Sequence, residues 1–141
     1  MIEIDKSVGF LLAKAYQRAC AIFKEEFDRF NLTPRQFGLL GFLWQEDGLS
    51  QAVLSARAHI DRTTMGGLID RLAKMGLVER RPHPEDRRAY QIFLTQEGKR
   101  LQAELCPLSE LVQARFVAGI SADELSALKC ILDKLRRPEE T

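Results

Sequence analysis

Apolar residues recur every three or four positions along most of the chain, which is the spacing of helices with one buried face. Residues 7–30 form the first such stretch and predict one long helix. Its apolar stripe consists of Val8, Leu11, Leu12, Ala15, Ala19, Ile22, Phe23, Phe27 and Phe30.

A second helix is predicted over residues 34–46. Thr33 can cap its first turn, and Pro34 suits the first helical position because proline has no amide hydrogen to leave unpaired there. The positions predicted to face inward are Phe37, Leu40, Leu43 and Trp44.

Two shorter helices joined by a tight turn are predicted next, as in a helix-turn-helix. Ser50 caps the first, which ends at residue 58. Asp61 caps the second, which runs to about residue 75 and stops at Gly76. The apolar positions of the first are Ala52, Val53 and Leu54, and those of the second are Met65, Leu68, Ile69 and Leu72.

A β-hairpin and two further helices complete the pattern. Residues 77–81 and 89–94 alternate like strands, and the connecting segment PHPEDRR contains two prolines, which exclude a helix. Thr95 opens a long helix in which Pro107 predicts a kink, and Ser121 caps a last helix with Glu124 at the capping-box position. The predicted fold class is mainly α with a small β-hairpin wing, a winged helix-turn-helix flanked by N- and C-terminal helices.

Composition and charge narrow the function classes. The 141 residues, 45% of them hydrophobic, fit one ordinary domain. Net charge is only +1, yet residues 57–100 carry ten Lys and Arg against six Asp and Glu, while the remainder carries eleven against fourteen. A basic middle is typical of a region that meets a polyanion.

Other partners and chemistries find no support in the sequence. The chain has neither an apolar run of about 18 residues nor a secretion signal, so we expect a cytoplasmic protein with no membrane partner. Cys20, Cys106 and Cys130 are widely spaced, which predicts neither disulfides nor a metal site, and no cofactor is expected. Without a phosphate-binding loop, an HExxH motif or an acid–base pair beside a nucleophile, no catalytic residue and no enzymatic activity are predicted.

The fourth helix and the hairpin tip are the candidate DNA contacts. Two adjacent glycines, Gly66 and Gly67, each cost the helix about 1 kcal/mol relative to alanine. Close approach to a DNA major groove would compensate, and tight packing against another helix is the alternative. Arginine at the tip suits a narrow minor groove, and Asp86 can hold a guanidinium extended through a bidentate pair. A solvated charge run is the alternative for the tip taken alone.

Together these segments resemble the MarR (multiple antibiotic resistance regulator) family of bacterial winged-helix repressors. The resemblance covers nearly the whole chain, through LTPRQFGLLGFL, GLIDRLAKMGLVERR and HPEDRRAYQIFLTQEGKRL. It implies that Arg88 enters the minor groove with Asp86 as its brace. The predicted DNA-binding residues are Arg62, Thr63, Thr64, Gly66, Gly67, Arg71, Lys74, Asp86, Arg87 and Arg88.

The resemblance also implies a homodimer that binds double-stranded DNA at an inverted repeat. Residues 125–135 independently form an apolar seam with heptad spacing, although a seam that serves only the core is the alternative. We expect residues 1–31 and 96–141 to form a helical dimerisation region and residues 32–95 the DNA-binding region. The predicted interface residues are Val8, Leu12, Leu125, Leu128, Leu132 and Leu135.

Regulation by a small, often aromatic or phenolic, effector is a further implication of the resemblance. The effector would enter a cleft between the dimer helices and the DNA-binding region and release the operator. Lys14 and Arg18 could pair with the carboxylate of such a ligand, and simple core packing is the alternative for the apolar candidates. The candidate residues are Phe10, Lys14, Tyr16, Arg18, Phe37, Leu40 and Trp44.

Two alternatives share the predicted fold. The peroxide-sensing branch of the family carries a reactive cysteine near the start of the first helix, where this chain has Gly9. Cys20, a turn beyond Tyr16, remains the candidate for a redox regulator, against an inert packing role. A winged-helix module for protein contacts is the other alternative, but it leaves the arginines on both the wing and the fourth helix unexplained.

Overall fold

Six α-helices and a three-stranded antiparallel sheet make up the computed structural model, which describes residues 1–139. The last two residues of the predicted 96–141 region lie outside that range. The helices are α1 (Val8–Phe27), α2 (Pro34–Gln45), α3 (Gln51–Ala58), α4 (Arg62–Lys74), α5 (Gln96–Phe116) and α6 (Ala122–Leu135). The strands are β1 (Leu49–Ser50), β2 (Val78–Pro82) and β3 (Tyr90–Leu94), and single 3₁₀ turns occur at Ile4–Lys6 and Asp28–Phe30. The predicted fold class is confirmed.

Local capping sets the starts of the helices, as the sequence predicts. The Thr33 hydroxyl accepts a hydrogen bond from the Gln36 amide at 3.2 Å, while the Gln36 side chain accepts from the Thr33 amide at 2.9 Å. Ser121 and Glu124 form the same reciprocal pair at the start of α6. Gly76, which follows the C-terminal end of α4, adopts φ +76°, a left-handed conformation that favours glycine.

Two local features differ from the predictions. The first helix ends at Phe27 rather than residue 30, because the chain tightens into a 3₁₀ turn and Asn31 becomes left-handed. Strand β1 was not predicted, since two residues are too few to show alternation; it pairs with β3, giving the order β1-β3-β2. Helix α5 runs from Gln96 to Phe116 with Pro107 on an exposed side, and the kink predicted at Pro107 stays a prediction.

The core joins the second half of α1 to α2, α3, α4, the sheet and the first half of α5. Phe23 and Phe27 stack with ring centroids 4.0 Å apart, and Phe37 packs edge-on against Phe27 at 5.1 Å. Predicted apolar positions Ala52 and Val53 are exposed, because α3 turns only Leu54 of that run inward. The other fully buried side chains include Leu40, Leu43, Met65, Ile69, Leu72, Ile92 and Leu105.

The start of α1 and the whole of α6 lie outside this core. None of the described residues of α6 is buried. Val8 and Leu11, at the top of the predicted α1 stripe, are 65% and 53% exposed, so the stripe serves the core only in its second half. No helix within residues 1–139 has both the length and the apolar character needed to cross a membrane.

Candidate nucleic-acid interface

Helix α4 is held by its cap and by one apolar face. The Asp61 carboxylate accepts a hydrogen bond from the Thr64 amide at 3.0 Å. Hydrogen bonds from the Thr64 side chain and amide hold the pKa of Asp61 below its ordinary value, so the cap stays ionised at neutral pH. The predicted inward positions Met65, Leu68, Ile69 and Leu72 are all buried, which leaves the remaining faces of α4 available for contacts.

The wing is a regular hairpin with a closed tip. Strands β2 and β3 pair from Val78 opposite Leu94 to Pro82 opposite Tyr90. Beyond them, the His83 amide donates to the Ala89 carbonyl at 3.0 Å. Arg87 and Arg88 are exposed on the segment that this bond encloses.

Asp86 braces the tip differently from the prediction. Its carboxylate accepts from the backbone amide of Arg88 at 2.9 Å, and its carbonyl accepts from the Ala89 amide at 3.1 Å. Among residues 1–139, its carboxylate makes no ion pair with a guanidinium. Asp86 is two residues before Arg88 in the chain. Its side chain therefore closes the turn and orders the backbone that carries Arg88.

One side of α4 forms a cleft with the wing, which we call the wing cleft. It has a volume of about 1050 Å³ and contains the first residue of α4, Arg62, together with Asp86 and Arg88. Three of the predicted DNA-binding residues are therefore brought together from two separate elements. The cleft is also lined by Ser50, Gln51, Ala52, Asp70, Arg80, His83, Glu85, Ala89 and Tyr90.

The opposite side of α4 forms a second cleft, of about 540 Å³, with α1 and the start of α2. We call it the helix cleft. Arg35 and Arg71 contribute positive charge to it, and Tyr16, Thr63 and Thr64 contribute hydroxyl groups. Its remaining lining residues are Thr33, Pro34, Gly67 and Leu68. Four predicted DNA-binding residues, Thr63, Thr64, Gly67 and Arg71, thus line the helix cleft and not the wing cleft.

The two glycines of α4 have different surroundings. A Cβ atom added to Gly67 would meet no heavy atom within 4 Å, so tight packing against another helix does not explain this glycine. A Cβ atom on Gly66 would lie 3.3 Å from the amide nitrogen at the end of the Gln51 side chain, which can move. What Gly67 does is leave space in the helix cleft.

Comparison with known proteins agrees with this geometry. The sequence profile of the MarR family matches residues 30–89. The transcriptional repressor NicR of Pseudomonas putida is 33% identical over 138 residues, which cover 98% of this chain and 87% of NicR. The chain belongs to the MarR family.

Solved structures of other MarR-type regulators match the whole fold. BpsR of Bordetella bronchiseptica, whose DNA binding is described as regulated by 6-hydroxynicotinic acid, is 30% identical with a TM-score of 0.92, over 99% of each chain. A probable transcriptional regulator from Pseudomonas aeruginosa is 28% identical with a TM-score of 0.87, covering 94% of this chain and 99% of that one. The protein is therefore a transcriptional regulator with a winged helix-turn-helix, and its relatives are regulators, not enzymes.

Most of the predicted effector residues of this MarR-family protein lie away from the helix cleft. Leu40 is fully buried in the core, and Phe37 and Trp44 pack against it. Of the seven candidates within the described chain, Tyr16 alone lines the helix cleft. The other candidates have neighbours elsewhere: Trp44 donates to the Gly98 carbonyl, Arg18 donates to the Phe116 carbonyl, and Lys14 lies over the Phe10 ring.

Arg35 and Arg71 are the charged residues of the helix cleft. Their position in that cleft was not predicted from the sequence. One signal was present: Thr63, Gly67 and Arg71 are four residues apart and share a helix face, whereas Arg62, Gly66 and Asp70 share another. Helical spacing separates these two rows. It does not tell which element covers each row.

Cys20 lies near the helix cleft, as its position one turn after Tyr16 predicts. A hydrogen bond with the half-buried Cys20 thiol raises the pKa of the Tyr16 hydroxyl above its ordinary value. Cys20 itself lines a neighbouring pocket of about 350 Å³ with Phe23 and Phe27, which shares Thr33 and Pro34 with the helix cleft. A redox role for Cys20 stays a prediction.

Proposed function

We propose that this MarR-family protein is a homodimeric transcriptional repressor that binds an inverted-repeat operator and releases it when a small aromatic acid binds. The observation that carries the DNA-binding part is the wing cleft, where Arg62 of α4 and Arg88 of the wing line one surface. One cation comes from the helix that would enter the major groove, and the other from a hairpin suited to the adjacent minor groove. Both are exposed to solvent and so available to DNA.

Dimerisation is supported by apolar surface that this chain does not cover. Among the predicted interface residues, Leu12 is 41% exposed, Leu132 38% and Leu135 57%, and Leu125 and Leu128 are only half-buried. Apolar surface removed from water contributes about 25 cal/mol per Å². A second copy packed on this surface would bury it, with residues 1–31 and the C-terminal helices as the dimerisation region and residues 32–95 as the DNA-binding region.

The helix cleft is the proposed effector site. Arg35 and Arg71 can hold a carboxylate, the side chains of Pro34 and Leu68 suit a ring, and the Tyr16 hydroxyl can hydrogen-bond a ring substituent. BpsR is described as regulated by 6-hydroxynicotinic acid, which has this chemistry. Helix α4 lines both clefts. A ligand bound in the helix cleft would therefore contact the same helix that would meet DNA at the wing cleft.

Selection of bound sequences from random duplex DNA tests the proposal. The expected product is an inverted repeat, and affinity for it should fall by roughly a hundredfold between about 50 and about 200 mM salt, because phosphate contacts release counterions. Hydroxylated aromatic acids, 6-hydroxynicotinic acid among them, should then release the selected duplex, whereas their uncharged amides should not. A flat salt response with no selected sequence would instead favour a module for protein contacts.

A further inference from the structure

Arg80, in the middle of β2, joins the wing to α4. Its guanidinium donates from Nη2 to the Gly66 carbonyl at 3.0 Å and forms an ion pair with the Asp70 carboxylate through Nη1. The side chain of Arg80 is only 27% exposed, which is low for an arginine. Within residues 1–139, no other side-chain hydrogen bond connects α4 with β2 or β3.

We propose that Arg80 is a positioning residue for DNA recognition, which holds the wing at a fixed angle to α4. The inference rests on the proposed DNA-binding function. Arg62 and Arg88 stand on different elements, so they reach adjacent grooves together only if those elements keep one relative orientation. Arg80 supplies that constraint and does not need to touch DNA itself.

Apolar packing alone gives a weaker constraint. Leu72 of α4 and Val78 of β2 are buried in the shared core, but apolar contacts have no preferred direction. The connection between α4 and β2 passes through the left-handed Gly76, a residue with few backbone restrictions. A planar guanidinium that binds two acceptors on successive turns of α4 fixes orientation as well as distance.

Substitution of Asp70 tests the proposal, because the two explanations predict opposite changes in DNA affinity. Its side chain is 58% exposed and lines the wing cleft, where a carboxylate repels DNA phosphates. If charge alone mattered, Asp70→Asn would tighten DNA binding. If Asp70 holds Arg80 in place, the same change should weaken binding to the selected operator.

The experiment compares Asp70→Asn and Arg80→Met with Arg81→Met as a matched control. Arg81→Met removes the same charge one residue further along β2. The Arg81 side chain pairs with Glu79 and lies over the Phe93 ring at 4.1 Å, so it does not contact α4. At fixed salt we expect the first two variants to bind the selected duplex about tenfold more weakly than the control. Thermal unfolding of each variant shows that the loss occurs in folded protein.

A double variant separates positioning from direct contact. If Arg80 acts through the wing, Arg80→Met combined with Arg88→Ala should bind no more weakly than Arg88→Ala alone, because the wing contact is already lost. Additive losses, or tighter operator binding by Asp70→Asn, would overturn the inference. Failure of the wild-type protein to select any DNA sequence would instead refute the proposed function, so the two failures are distinguishable.

Discussion

At the scale of single residues, Asp86 and Arg88 have different roles at the wing tip. The sequence predicts that the Asp86 carboxylate holds a guanidinium, whereas in the structure it binds the Arg88 backbone. The Asp86 carboxylate binds the Arg88 amide at 2.9 Å, which orders the main chain and leaves the guanidinium able to contact DNA. A carboxylate that instead neutralised the guanidinium would weaken its attraction to phosphate.

Replacement of Arg88 by alanine should weaken operator binding by roughly ten- to a hundredfold, because a groove contact is lost. The protein should remain folded, since Arg88 is exposed. Fluorescence anisotropy at one salt concentration measures the change. Arg87→Ala is the control: it removes the same charge from a neighbour that does not line the wing cleft, and its effect should be smaller. Full affinity in a folded Arg88→Ala protein would contradict the assigned role.

Helix α4 combines two surfaces at the level of the element. The row Arg62, Gly66 and Asp70 lies toward the wing, and Thr63 and Gly67 lie toward α1 and α2. The first row meets Arg80, and the second borders the helix cleft. One rigid helix therefore carries both the proposed DNA contact and part of the proposed effector site.

Gly67→Ala should stabilise the protein while reducing effector affinity. Alanine favours a helix interior by about 1 kcal/mol over glycine, and the added methyl group has no neighbour to displace. The same methyl group narrows the helix cleft. Denaturant unfolding and calorimetric titration with an aromatic acid that releases the operator measure the two effects.

Gly66→Ala is the matched control for this prediction, because its methyl group would meet the Gln51 side chain outside the helix cleft. We expect unchanged effector affinity in this variant. Equal loss of effector binding in both variants would show that the helix cleft is not the site.

At the scale of the whole molecule, helix α6 carries apolar surface that the described residues do not cover. It has no buried residue, yet its leucines are spaced as a continuous seam. Arg136 contacts the His59 ring at 3.0 Å, which brings the end of α6 to the turn between α3 and α4. A partner packed on α6 would thus stand close to the DNA-reading elements.

Leu128→Glu should dissociate the proposed dimer, because a charge in an apolar interface loses its hydration without gaining a partner. Operator affinity should fall with it, since each monomer reads only half of an inverted repeat. Sedimentation measures the assembly. Ser126→Glu places the same charge elsewhere on α6 and should leave the dimer intact; a tight dimer in the Leu128 variant would refute the interface assignment.

A structural feature can be predicted from the sequence when the residues that determine it lie close together along the chain. Caps such as Thr33 and Asp61 depend on neighbours within three residues, and they were predicted correctly. The pairing of Arg80 with Asp70 crosses a turn, and the walls of the helix cleft come from three helices, so neither can be derived from local spacing. The apolar spacing of the first helix predicts a stripe that includes Val8, but Val8 is 65% exposed, because periodicity does not tell which part of a stripe the chain itself covers.

The division of the helix cleft between elements has a practical consequence for biosensor engineering. Tyr16 and Arg35 belong to α1 and α2, away from the wing cleft, whereas Thr63 and Arg71 belong to α4. Libraries that vary the first pair can change which compound is detected while the promoter that the sensor controls stays the same. Libraries that vary the second pair change residues of the helix that is also proposed to meet DNA, so we expect them to alter operator affinity as well.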